Sequence, residues 1–123
     1  MTQTILVVDD EAALTEVLAN ILEYQGYTVL TAPDGLEALK LIRQNQIDLL
    51  ICDYMMPNLN GLALYHQLIK EKFAPSMPII MMSALPDALS ALPVHAVLKK
   101  PFHVDELVAH VKKALDAGQE PAH

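Results

Sequence analysis

Leu49-Leu50-Ile51-Cys52-Asp53 is an apolar run that ends on a carboxylate, and Tyr54-Met55-Met56-Pro57 and then Gly61 follow it. Four apolar residues in a row, without polar alternation, fit a short strand buried on both faces. A carboxylate at the end of such a strand stands at the rim of a sheet, where the core gives way to solvent. The pattern recurs along the chain. Asp9-Asp10 follow Ile5-Leu6-Val7-Val8, Ser83 follows Ile79-Ile80-Met81-Met82, and Lys100 closes the run that contains Val97-Leu98.

Between these runs the apolar spacing becomes helical. Leu14, Val17, Leu18, Ile21 and Leu22 stripe a first helix, with Gly26 as its stop. Thr28 to Ala32 reads as a second strand, closed by the turn signal Pro33-Asp34-Gly35. Leu36, Leu39 and Ile42 mark a second helix. Pro57, Asn58, Asn60 and Gly61 make a loop, and Leu62, Tyr65, Leu68 and Ile69 stripe a third helix whose exit Pro75 and Pro78 bracket. Ala96 to Leu98 is a fifth strand, and Val104, Leu107, Val108, Val111 and Leu115 stripe the last helix. Residues 1–118 form one domain, and 119–123 are a polar tail. Alternating strands and helices imply a parallel sheet covered on both faces. Right-handed crossovers then bring every strand end to one edge, the edge where ligands bind in such folds.

The bulk numbers narrow the function. The chain has 123 residues, 53% of them apolar, which suits one domain with a true core. No apolar run approaches the roughly 20 residues of a membrane span, and Met1-Thr2-Gln3-Thr4 is not a secretory leader, so a cytoplasmic protein is expected. A net charge of −7 argues against a nucleic-acid surface. Cys52, the single cysteine, reads as a buried thiol in a reducing compartment.

Three acids, a hydroxyl and a lysine on neighbouring strand ends make a site for a metal ion and a phosphoryl group. Asp9 and Asp10 repel each other and call for a cation, although Asp10 alone also reads as a helix cap. Mg²⁺ takes hard oxygen ligands, typically one or two carboxylates, a phosphate and water. Asp53 is a candidate nucleophile, since a carboxylate attacks a phosphoryl group to give an acyl phosphate. Ser83 and Lys100 would supply donors to the phosphoryl oxygens.

These pieces, in this order, resemble the receiver domain of two-component response regulators. The matching residues are Val7-Val8-Asp9-Asp10-Glu11, Asp53-Tyr54-Met55-Met56-Pro57 with Gly61, Ser83-Ala84, and Lys100-Pro101-Phe102. Pro33-Asp34-Gly35 with Glu37-Ala38-Leu39 matches as well. The resemblance implies a flavodoxin-like α/β fold, a doubly wound five-stranded parallel sheet of order 2-1-3-4-5. It implies Asp53 as phospho-acceptor, supplied by a phosphohistidine on a sensor histidine kinase or histidine phosphotransfer protein. Asp10, Asp53 and the Met55 backbone carbonyl would ligate Mg²⁺, with Asp9 assisting through water. Ser83 and Lys100 would engage the phosphoryl group, and the Lys100-Pro101 bond would be cis. The switched domain would act on an unidentified output protein, without direct nucleic-acid contact or membrane insertion.

Two departures fall on the readout side. Val97 stands three positions before the lysine, where the family usually carries an aromatic residue. The interval from Ser83 to Lys100 is several residues shorter than usual, and Pro86 and Pro93 leave only Asp87 to Leu92 for a fourth helix. That helix is expected to be short or irregular. Met55 and Leu85, at positions that tune phosphoryl lifetime in the family, are apolar, so slow self-dephosphorylation is expected. Two other readings stand beside this one. One is a receiver-like interaction module that works without phosphorylation. The other is an aspartate-nucleophile phosphatase, which would want an acid where Met55 stands.

Overall fold

Each apolar run of the sequence forms a strand in the computed structural model, which describes residues 2–56, 58–74, 76–84 and 93–119. The strands are β1 (Thr4–Val8), β2 (Thr28–Ala32), β3 (Leu49–Asp53), β4 (Ile79–Ser83) and β5 (Ala96–Lys99). They form one sheet in the order β2-β1-β3-β4-β5, and every neighbouring pair is parallel. The helices are α1 (Ala12–Tyr24), α2 (Gly35–Gln44), α3 (Gly61–Lys70) and α4 (Val104–Gln119). The doubly wound fold and its strand order are those that the resemblance implies. The expected short fourth helix, Asp87 to Leu92, lies outside the described residues, so α4 denotes the last helix of the chain. Pro57, Pro75 and residues 120–123 also lie outside them. Helix α4 runs through Gly118 to Gln119.

The inner strands β1, β3 and β4 lack polar alternation because both faces of the sheet are covered there. On one face Leu6, Val8, Leu50, Cys52, Ile79 and Met81 pack with Ala38, Leu39 and Ile42 of α2 and Leu64, Tyr65 and Leu68 of α3. On the other, Ile5, Val7, Leu49, Ile51, Ile80 and Met82 pack with Leu18 and Leu22 of α1 and Leu107, Val111 and Leu115 of α4. Successive strand residues thus feed opposite cores, as the two-residue strand period requires. Phe102 is partly buried and packs at the margin of the second core.

Local chemistry sets where the helices start. The Asp34 carboxylate accepts from Glu37 N–H at 2.9 Å and caps α2; the Asn60 amide oxygen accepts from Ala63 N–H at 2.9 Å and caps α3. Arg43 of α2 donates both guanidinium arms to Glu71 just beyond α3, and Gln67 donates to the same carboxylate at 2.6 Å. This pairing holds the Glu71 carboxyl down to about 2, its largest cause being the Arg43 hydrogen bond. It ties the C-terminal end of α2 to the C-terminal end of α3.

Candidate functional site

The C-terminal ends of the strands are laced together by the main chain. Asp9 N–H donates to the Ala32 carbonyl at 3.2 Å, Tyr54 N–H to Met82 at 2.9 Å and Lys100 N–H to Ser83 at 2.8 Å. Asp9 follows β1, Asp53 ends β3, Ser83 ends β4 and Lys100 follows β5. Residues spread over most of the chain therefore share one edge. Asp9, Asp53 and Ser83 are 2%, 7% and 4% exposed, which is unusual burial for polar side chains. Asp10 is exposed at their rim.

Lys100 holds the cluster together. Its ammonium donates to Asp9 Oδ2 at 2.7 Å and lies 3.2 Å from Asp53 Oδ2. Burial alone would lower the lysine. The hydrogen bond and charge of Asp9, joined by those of Asp53, overcome it and hold Lys100 above its ordinary value. Asp53 is pushed up, first by burial and then by the negative charge of Asp9, against the pull of Lys100. One lysine thus falls short of compensating two buried carboxylates.

The remaining ligand candidates complete the picture. Asp9 Oδ1 accepts from Glu11 N–H at 2.9 Å, and Asp53 Oδ1 accepts from Met55 N–H at 3.4 Å. Glu11, not Asp10, occupies the N-cap position of α1, and its side chain makes no capping hydrogen bond, so the capping role left open for Asp10 is not the one it plays. Asp9, Asp10 and Asp53 each bring a carboxylate oxygen within 4.8 Å of the others. Hard oxygens, excess negative charge and one solvent-facing member suit a divalent cation that keeps part of its water. Met55 continues from Asp53, and its side chain is 69% exposed. The Lys100-Pro101 bond is cis. Val97 is partly buried against the first core.

The sequence profile described as response regulator receiver domain matches residues 5–112. The chain belongs to that family. Receiver domains of this kind are the phosphorylation switches of two-component systems. This one is 38% identical over 120 residues to response regulator MprA of Mycobacterium ulcerans, a match covering 94% of this chain and 51% of MprA. It is 32% identical over 117 residues to the probable transcriptional regulatory protein TcrX of Mycobacterium tuberculosis, covering 91% of this chain and 49% of TcrX. The receiver domain thus spans about half the length of these curated relatives. Among solved structures it is similar to the receiver domain of Francisella response regulator 1452, with a TM-score of 0.89 and 31% identity over 96% of this chain and all of the other. It is also similar to the response regulator protein TrrA of Thermotoga maritima in complex with Mg²⁺ and BeF, with a TM-score of 0.83 and 37% identity over 93% of this chain and all of the other.

The six candidate site residues, Asp9, Asp10, Asp53, Met55, Ser83 and Lys100, lie at this edge of the receiver domain. One pair escaped the sequence. Asp34 and Asn58 meet across two loops, with Asn58 Nδ2 donating to Asp34 Oδ2 at 2.8 Å. Asp34 was legible as a turn residue and a cap, but nothing in the order of residues announced its partner. Leu85 lies outside the described residues.

Proposed function

We propose that Asp53 is the phospho-acceptor of a two-component or phosphorelay system. Its donor is a phosphohistidine on a sensor histidine kinase or histidine phosphotransfer protein. An Asp53 carboxylate oxygen forms the new bond to phosphorus as the phosphorus–nitrogen bond of the phosphohistidine breaks, and the imidazole leaves. The observation that carries this reading is a buried carboxylate on the central strand, flanked by Asp9 and 3.2 Å from the Lys100 ammonium. Lys100 and Ser83 then donate to the phosphoryl oxygens. Asp9, Asp10, Asp53 and the Met55 carbonyl would hold Mg²⁺, which when bound offsets the charge of carboxylate and phosphoryl group.

The domain acts as a switch rather than a turnover enzyme, with slow self-dephosphorylation its only hydrolytic activity. Its net charge of −7 disfavours a nucleic-acid surface, so the readout passes through protein contacts. Relatives named as transcriptional regulators make transcription a reasonable end of the pathway. Among the described residues no helix is long and apolar enough to cross a membrane, and the cytoplasm is the compartment that fits.

The test is intact mass after incubation with Mg²⁺ and acetyl phosphate. Wild type is expected to gain one phosphoryl group, and Asp53→Asn none. Absence of an adduct on wild type would favour the second reading, a receiver-like module that works without phosphorylation. Val97 on β5 is the observation behind that alternative, because a stiff β-branched side chain has little reach with which to report the state of the pocket.

A further inference from the structure

Asp34 serves two partners at once. Oδ1 accepts from Glu37 N–H at 2.9 Å and caps α2, while Oδ2 accepts from Asn58 at 2.8 Å. The two hydrogen bonds, in the same order, hold the Asp34 carboxyl below its ordinary value. Asn58 sits at a φ of 67°, the left-handed region that asparagine tolerates better than most residues. Beside it, Gly35 lies so close to Leu59 that an added Cβ would overlap the Leu59 carbonyl oxygen and come within 2.8 Å of Leu59 Cβ. Glycine here permits a close backbone approach. The turn after β2 and the loop after β3 therefore meet through one side-chain bond and one tight backbone contact.

The near end of the same loop is pinned independently. Gly61 N–H donates to the Tyr54 carbonyl at 2.9 Å, and a Cβ on Gly61 would approach the Asp53 carbonyl oxygen to 2.9 Å. Met55 lies between the two fastenings. Its backbone is the part of the site that no side chain of the acidic cluster fixes, apart from the long 3.4 Å contact to Asp53. A carbonyl ligand must be held in place before a cation arrives if binding is not to cost the ordering of the loop.

We propose that Asp34 and Asn58 form a latch that fixes the loop after Asp53, and with it the Met55 carbonyl, for cation binding. Both are positioning residues, since neither belongs to the acidic cluster. The inference rests on the reading of Asp53 and its neighbours as a Mg²⁺-dependent phospho-acceptor site. It adds a requirement that this reading does not contain, because the acids alone would bind the ion without the latch.

The experiment measures Mg²⁺ affinity by calorimetry and the rate of adduct formation from acetyl phosphate, on the full chain. Asn58→Ala is expected to weaken Mg²⁺ binding by about threefold to tenfold, the range of one ordinary hydrogen bond. Asn58→Asp sets two carboxylates against each other and is expected to weaken it as well, although added negative charge by itself would strengthen it. Asp34→Asn combined with Asn58→Asp restores a donor and an acceptor and keeps the α2 cap, so affinity and rate should recover. That recovery is what a merely structural loss of the loop would not show. The swapped pair also keeps the test decisive if the alanine variant unfolds. Wild-type affinity in Asn58→Ala, or failure of the swap to restore it, overturns the latch. A wild type that binds no Mg²⁺ and forms no adduct instead removes the phospho-acceptor reading, and the latch with it.

Discussion

Asp53 carries a cost that the rest of the fold supports. Its carboxyl is raised by burial and by Asp9, so the folded chain holds that proton to a higher pH than the unfolded chain does. With a raised folded value the linkage is unfavourable. Stability falls as pH rises from the ordinary carboxylate range through the folded value, and the full penalty is present above that folded value. In metal-free buffer Asp53→Asn is therefore expected to melt at a higher temperature than wild type at neutral pH. The advantage should vanish at acid pH, which thermal melts across the range will show. Met55 sets a second expectation. An exposed thioether two positions after the acceptor cannot orient a water as an amide does. Met55→Asn should shorten the phosphoaspartate lifetime by about tenfold or less, as a single added hydrogen bond in a transition state allows. Decay followed by intact mass in one Mg²⁺ buffer will decide it.

At the scale of elements, the loops between strand ends and helices do the positioning. Gly35→Ala would force apart the turn after β2 and the loop containing Leu59. The expected loss is about 1–3 kcal/mol, the range for overpacking a filled space, and a lowered urea midpoint will report it. The three inner strands were legible because a strand buried on both faces is apolar throughout, as Ile5–Val8, Leu49–Cys52 and Ile79–Met82 are, and the edge strands β2 and β5 by their shorter apolar stretches beside turn residues. The helices were legible from their spacing. The site followed from both, since parallel strands place Asp9, Asp53, Ser83 and Lys100 at one edge. Asp34 with Asn58 was not legible, because a contact between two loops depends on the path of the main chain and has no period. The Arg43–Glu71 clamp was hidden for the same reason: one partner lies on α2 and the other just beyond α3, and nothing in sequence order pairs them.

For the whole molecule, the sheet separates structure from chemistry. Two apolar cores cover its faces, and polar burial concentrates where the strands end, with Asp9, Asp53 and Ser83 together at that edge. Cys52 lies at the boundary between the two regimes. It is fully buried on β3, the middle strand of five, immediately before Asp53. Burial, then the charges of Asp53 and Asp9, push its thiol far above the usual range, so the closed protein offers no thiolate to a reagent. A thiol reagent can react only when the middle of the sheet comes apart, and its rate counts those openings. Cys52 is thus a built-in stopwatch for the central strand, one residue from the chemistry. Saturating Mg²⁺ should slow the labelling by the factor with which the ion favours the closed form, about 100-fold at a hundred times its dissociation constant. Unchanged labelling under those conditions would mean that the strand opens without first releasing the ion.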